Sequence, residues 1–482
     1  MARPIHFIIH SKINAKTIPH SVGMPEYSYY FVLRDFQPLL QKIGTVEIIS
    51  NPSVVDEHWA AAKNRGDDCL FLNFTAPQNM ASTVKCPTSH VFAWEFHSIP
   101  TESWLADGLQ DWRFALQEHQ STITHSAYAA DAIKAAMGED YPVAIIPCPV
   151  WDNFAAERDA IPDRSPVKED ETLFFMGRVF DTEQIELFVS QTTYLAHRAS
   201  QAADPAPKPV RAKGSIWRRL LSRATNASPK NSPTPAAVGA PPGEDPPDFS
   251  PEKENALRLN GVVYTSIYNP LDDRKNWQDM ISAFVWAHKS NSDATLVLKT
   301  PKLDLKDFME SLVDFLKRFL PFNCRIIVLK AFLGDRQYRD LMCATTYYVN
   351  TSYAEGQCLP LMEYLSAGVP AIAPASTALA DYINDDIAFV AAAHAQPSTW
   401  QHDPRQSYRT ICFRVDWLAL VDAFEQSYAT AKADPGAWRS MGQAAADRLE
   451  GHCSLGACES RLRAFLEETA PLRTGGAEPL TG

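Results

Sequence analysis

The feature that most constrains this 482-residue chain is an alternation of short apolar runs with amphipathic helical patterns, and the chain runs through it twice. In the first pass the runs at 5–9, 46–49, 69–74, 90–94, 122–124 and 143–146 read as strands. Helical patterns at 29–42, 109–118 and 127–136 fall between them. The second pass places strands at 262–266, 294–299, 325–329, 347–350 and 371–374, with helices at 276–287, 305–319, 335–344 and 359–366. Strands alternating with helices predict a parallel sheet covered on both faces. A chain this long exceeds what one hydrophobic core supports, so two passes predict two α/β domains. The expected fold class is therefore two Rossmann-like, doubly wound domains. We expect residues 1–150 to form the first and 260–415 the second. A connector spans 151–259, and helices at 416–470 are expected to pack across the domains.

Composition changes sharply inside the connector. Residues 205–251 hold eleven of the 35 prolines. Such a stretch buries too little apolar surface to offset its ordering entropy, so a disordered, Pro-rich insertion is expected at about 200–255. A basic cluster at 208–223 lies within it, around Trp217, Arg218 and Arg219. It reads either as a peripheral contact with an anionic membrane or as solvated linker. Elsewhere the formal charge of −12 argues against a nucleic-acid partner. The apolar run near Ile5 is too short for a signal peptide, and no run of about 18 apolar residues spans a membrane. The nine cysteines are scattered and odd in number, which suits reduced thiols in a cytoplasmic protein. His452, Cys453 and Cys458 lack a second pair at zinc spacing.

The densest chemical signal is the string from Asn350 to Pro370. A strand ends near Asn350, and Gly356 permits close backbone approach to a ligand. Pro360 suits a first helical turn, and Gly368 ends the helix before Pro370. The amides near Gln357, Cys358 and Leu359 then face outward from a helix N-terminus, a favourable place for a diphosphate. Glu355 stands at the entrance, and Glu363 lies two turns deeper, where a carboxylate can accept from paired hydroxyls. Glu355 alone also fits an ordinary acidic residue at a helix start. Arg274 and Lys275 follow the first strand of the second unit, where adjacent cations can neutralise a diphosphate or simply be solvated. Lys299 ends a strand and reads either as a donor contact or as a surface lysine. In the first unit Glu95 and His97 alternate with aromatics at period two, which would put them on one strand face as acceptor-side groups. Local backbone could satisfy them equally well. Ser126 reads as structural.

The spacing Glu355 to Glu363 resembles the E-x7-E motif of retaining GT-B glycosyltransferases of the group 1, or family 4, type. The resemblance is strong over 260–390 and weaker over 1–150. It implies the GT-B architecture and sugar transfer from a nucleotide-sugar donor to a saccharide or lipid-linked saccharide, with retention, in polysaccharide or glycoconjugate synthesis. It also implies that Glu355 lies near the donor sugar, that Glu363 holds the ribose, and that Lys275 meets the phosphates. The turn 331–334 would hold the base, and Gly23 would approach the phosphate. Expected to carry the chemistry are Glu355, Lys275, Arg274 and His97. Glu363, Gly356, Gln357, Cys358, Leu359, Lys299 and Gly23 are expected to bind donor. No cofactor is expected, and no metal, because no Asp-x-Asp triad stands at a strand end. One position departs from the pattern. Asn269 stands six residues before Lys275, where the family often has Arg, so either Arg274 substitutes or donor binding differs. A catalytically silent scaffold, or an epimerase or phosphorylase on the same fold, stays open.

Overall fold

The computed structural model describes residues 4–12, 28–79, 84–102, 110–119, 121–184, 254–301, 305–400, 403 and 409–470. Gly23 and the 205–251 stretch with its basic cluster lie outside the described residues.

The first unit is a six-stranded parallel sheet of order β2-β1-β3-β4-β5-β6. Its strands are β1 (Ile5–Ser11), β2 (Thr45–Ile48), β3 (Asp68–Phe74), β4 (Thr88–Val91), β5 (Thr122–Thr124) and β6 (Val143–Ile145). The helices are α1 (Ser28–Gln41), α2 (Val55–Arg65), α3 (Trp112–His119) and α4 (Ala127–Met137). Phe7 and Ile9 of β1 pack with Phe36 and Leu40 of α1, while Ile8 faces Val55 and Ala62 of α2 on the other side. That two-sided burial is why β1 is almost continuously apolar. Ser126 caps α4 by accepting from the Ala129 N–H at 3.2 Å, a structural role. The strand expected at 90–94 stops at Val91.

A short helix α5 (Ala155–Asp159) leads into β7 (Lys168–Asp181). The connector expected over 151–259 is thus shorter, because β7 and the start of β8 (Glu254–Ile267) belong to the second sheet. Its strands also include β9 (Ala294–Thr300), β10 (Arg325–Ala331), β11 (Tyr347–Val349), β12 (Ala371–Ala373) and β13 (Ala388–Val390). Strands β13, β12, β11, β8, β9 and β10 run parallel in that order, with β7 antiparallel outside β10. The first half of β7 folds back as an antiparallel ribbon with the first half of β8. Alternation drives this. Leu173, Phe175, Leu257 and Leu259 turn inward onto Val263, Val297, Ile327 and Leu329. Gly261 makes the bend in β8 with φ of 71°.

Helices α6 (Trp277–His288), α7 (Lys306–Leu316), α8 (Asp335–Cys343) and α9 (Leu359–Ser366) complete the βα units. A hairpin follows that the sequence reading did not anticipate, β14 (Ala393–Thr399) with β15 (Arg409–Val415). Then come α10 (Trp417–Ala433), α11 (Pro435–Cys453) and α12 (Leu455–Glu468), capped in turn by Asp416, Asp434 and Ser454. The last helix crosses back to the first unit. The Leu455 N–H donates to Asp152 at 2.6 Å, and Cys458 Sγ donates to the Pro147 carbonyl at 3.4 Å. The carboxyl edges of the two sheets face each other. Gly356, beyond β11, abuts Ala93 and Trp94, beyond β4. Two facing Rossmann-like sheets with a returning C-terminal helix make the GT-B architecture.

Candidate functional site

The site grows from two loops at the carboxyl edge of the second sheet. Strand β8 leaves into 268–276, and β11 leaves into 350–358. Asn276 joins them: its Nδ2 donates to the Thr351 carbonyl at 3.2 Å, and its Oδ1 accepts from the Tyr353 hydroxyl at 2.8 Å. The Tyr353 N–H donates to the Arg274 carbonyl at 2.8 Å. Among the described residues three non-glycine residues have positive φ: Asn276 at 50°, Cys358 at 58° and Thr377 at 51°. All three ring Glu355. Cys358 turns the chain into α9, and the Thr377 hydroxyl accepts from the Glu355 N–H at 3.1 Å. Each such conformation costs on the order of 1 kcal/mol or more, and such residues gather at functional sites.

Glu355 is the centre. Its Oε1 accepts from Lys275 Nζ at 2.6 Å and from Asn350 Nδ2 at 3.2 Å, and its Oε2 accepts from Arg274 at 3.0 Å. Burial pushes this carboxyl up, but Lys275 and Arg274 outweigh it and hold it well below the usual carboxylate range. Arg274 also donates to the Ala354 carbonyl at 2.7 Å. Its Nε lies 3.0 Å from Asp272 and 3.6 Å from Glu95 of the first unit. Burial opposes the charge on Arg274, and Asp272, Glu355 and Glu95 together more than restore it. Glu95 is pushed up by burial, with Arg274 pulling the other way. Among the described residues the cluster sets two cations against three carboxylates, of which Glu95 is pushed toward its neutral form.

Arg274, expected as a substitute for the charge missing at Asn269, is shared among three carboxylates. The Asn269 side chain accepts from the Leu271 N–H at 3.1 Å and shapes the turn instead. The expectation that Glu95 and His97 share a strand face needs correction. The strand ends at Val91, and the two diverge in the loop that follows. Glu95 joins the cluster. His97 turns to the hairpin, where its Nδ1 accepts from the Ile411 N–H at 3.2 Å and lies 3.2 Å from the Thr410 hydroxyl.

The helix string divides its work. Gln357 is a joint between the units: its Oε1 accepts from the Cys148 N–H at 3.1 Å. Cys358 Sγ accepts from Asn350 Nδ2 at 3.2 Å, and burial pushes its thiol up to about 12. Leu359 and Pro360 open α9, and Gly368 closes it with φ of 76°. Glu363, about one turn into α9 rather than the expected two, accepts a very short hydrogen bond from the Tyr338 hydroxyl of α8. Burial raises its carboxyl to about 7, opposed by Tyr338 and helped by Asp35 of α1. Lys299 lies in β9, and no described residue offers it an anionic partner. Asn350 and Tyr338 were missed from the sequence. A polar residue closing the apolar run 347–349 was a usable sign for Asn350, whereas nothing marked Tyr338. Among the described residues no group of three His, Cys, Asp or Glu side chains is placed to hold a metal ion, and none of the helices is long and apolar enough to cross a membrane.

No protein-family model matches the sequence, and no curated protein does. Among solved structures the chain is similar to sucrose-phosphate synthase from Thermosynechococcus elongatus, at 12% identity over 97% of this chain and 99% of that one, with a TM-score of 0.49. It is similar to α,α-trehalose 6-phosphate synthase from Burkholderia multivorans, at 12% identity over 98% and 99%, with a TM-score of 0.46. It is also similar to the pneumococcal O-GlcNAc transferase in complex with UDP and GlcNAc, at 13% identity over 85% of this chain and a TM-score of 0.42. The chain spans 59% of the length of that transferase. At these scores the likeness is one of outline, and the functional reading rests on the site itself.

Proposed function

We propose that this chain is a glycosyltransferase that takes a sugar from a nucleotide-sugar donor and passes it to a saccharide or lipid-linked saccharide acceptor. The observation that carries the reading is Glu355, gripped by Lys275 and Arg274 at the mouth of α9, with Glu363 about one turn into that helix. In this reading Lys275 and the helix N-terminus stabilise the departing diphosphate, and Arg274 positions Glu355. Glu363 accepts from the ribose hydroxyls once they take over from the Tyr338 hydroxyl. Cationic side chains perform the electrostatic work on the diphosphate, so the proposed reaction needs no metal. Retention, a hexose donor and a role in polysaccharide or glycoconjugate synthesis follow from the E-x7-E resemblance. A cytoplasmic setting is part of the same proposal, with 208–223 either touching an anionic membrane face or serving as solvated linker. The test is release of nucleoside diphosphate from a panel of nucleotide sugars. Lys275→Ala is expected to reduce it by about 10²–10³-fold, and an unaffected variant would remove Lys275 from the reaction.

One observation favours a second reading, a GT-B scaffold without turnover. Both described cations of the cluster are already paired with carboxylates, and Asn269 brings no further cation to it. Binding of nucleotide with no turnover of any donor in the panel would select that reading.

A further inference from the structure

We infer that Lys299 is the cation that first receives the donor's phosphate groups, ahead of the two cations locked onto Glu355. The inference rests on the donor reading above and gives Lys299, there only an expected donor contact, a stated ligand group and a place in the order of events.

The geometry starts from β9. Lys299 is registered opposite Ile267 of β8 on one side and Leu329 of β10 on the other. It therefore stands between the exit of β8, which leads to Arg274 and Lys275, and the exit of β10, which leads to α8 and Tyr338. Side chains alternate along a strand. Val297 packs into the cluster with Leu341 of α8, and Leu298 packs on the opposite face with Phe284 of α6. Lys299, two residues past Val297, lies on the α8 face. That is the face on which Tyr338 reaches Glu363.

An ammonium in such a place ordinarily has a carboxylate beside it, since a buried charge without a partner is costly. Lys299 has none among the described residues. The residue is half-buried, and burial brings its ammonium down to about 8. Lys275 is 2.6 Å from Glu355, and Arg274 is shared by three carboxylates. A diphosphate approaching that cluster must compete with carboxylates already bound to both cations. Approaching Lys299 it meets an uncommitted positive charge. Phosphate held there then competes with Glu355 for Lys275, and the released carboxylate is free to face the sugar.

The test is calorimetric titration of the full chain with uridine, UMP and UDP, repeated with the guanosine and adenosine series, on wild type and on Lys299→Met and Lys299→Gln. The wild type should bind one nucleoside diphosphate more tightly than its nucleoside. Both variants should lose about tenfold or more in diphosphate affinity, less for the monophosphate, and nothing for the nucleoside. Lys299→Met should also melt at a higher temperature than wild type without ligand, because an unpaired buried charge has gone. Wild-type diphosphate affinity in both variants would overturn the inference, as would an equal loss for nucleoside and diphosphate, which would indicate a collapsed pocket. A wild type that binds none of UDP, GDP and ADP would instead overturn the donor reading.

Discussion

At the scale of single residues, the site is a contest between carboxylates and phosphate for the same cations. Glu355 is held ionised by Lys275 and Arg274. Glu355→Gln removes a full negative charge and leaves Lys275 enclosed without an ionic partner. Breaking a buried pair in this way costs about 3 kcal/mol or more, so the melting temperature should fall. The same change should tighten nucleoside diphosphate binding while sugar transfer drops, since the cations no longer have to be won from Glu355. Calorimetry beside an activity assay reads both arms, and weaker diphosphate binding in Glu355→Gln would contradict the contest. Glu363 makes a prediction in pH. Its folded carboxyl titrates near 7, above the usual carboxylate value, because of burial. The folded protein then holds a proton that the unfolded chain has released between about pH 4.5 and 7, so this residue erodes stability as pH rises through that window. Glu363→Gln should gain on wild type from pH 5 to pH 8, by up to about 3 kcal/mol. A stability difference that stays flat with pH would show that Glu363 is ionised throughout.

At the scale of elements, the loop from β11 to α9 has to pass close to the first unit. A Cβ on Gly356 would lie 2.9 Å from the Ala93 Cβ and 3.3 Å from the Trp94 nitrogen. Gly356→Val should therefore push the two units apart at the site and cost about 1–3 kcal/mol. Thermal melting reads the cost, and an unchanged melting temperature would mean the approach is not tight. This loop was legible in the sequence because glycine, proline and the two glutamates each need their own backbone position. The βα units were legible for the same kind of reason, since buried parallel strands such as β1 and β9 are continuous apolar runs. The ribbon of β7 and β8 was harder to see. Its outward residues, Phe174 and Met176, are exposed yet apolar, so alternation was masked. The hairpin β14–β15 carries mixed residues and takes its order from His97 and Tyr353, more than fifty residues away. The same kind of long-range partner fixes Tyr338 on Glu363, and no local pattern announces it. Period-two reasoning failed for Glu95 and His97 because a strand's end is set by its neighbours, and β4 has lost its pairing by that point.

At the scale of the whole molecule, the two sheets are joined at several points around one cluster: Glu95 to Arg274, Gln357 to Cys148, His97 to the hairpin, and α12 to the first unit. Deleting residues 205–250 removes none of the described strands or helices. Loop closure changes by only about 0.6 kcal/mol per doubling of length, so the deletion protein should melt close to wild type and turn over a soluble acceptor normally. Loss of folding on deletion would show that the segment belongs to the core. The central claim is that the facing sheets bind a nucleotide sugar and break its bond to the diphosphate at Glu355 and Lys275. It is tested most directly by incubating the purified chain with UDP-, GDP- and ADP-sugars and measuring nucleoside diphosphate release, with Lys275→Ala as the paired control. The account predicts release from one donor class, reduced by at least about 10²-fold in the variant. Equal release by wild type and Lys275→Ala, or no binding and no release with any donor by the folded chain, would contradict it.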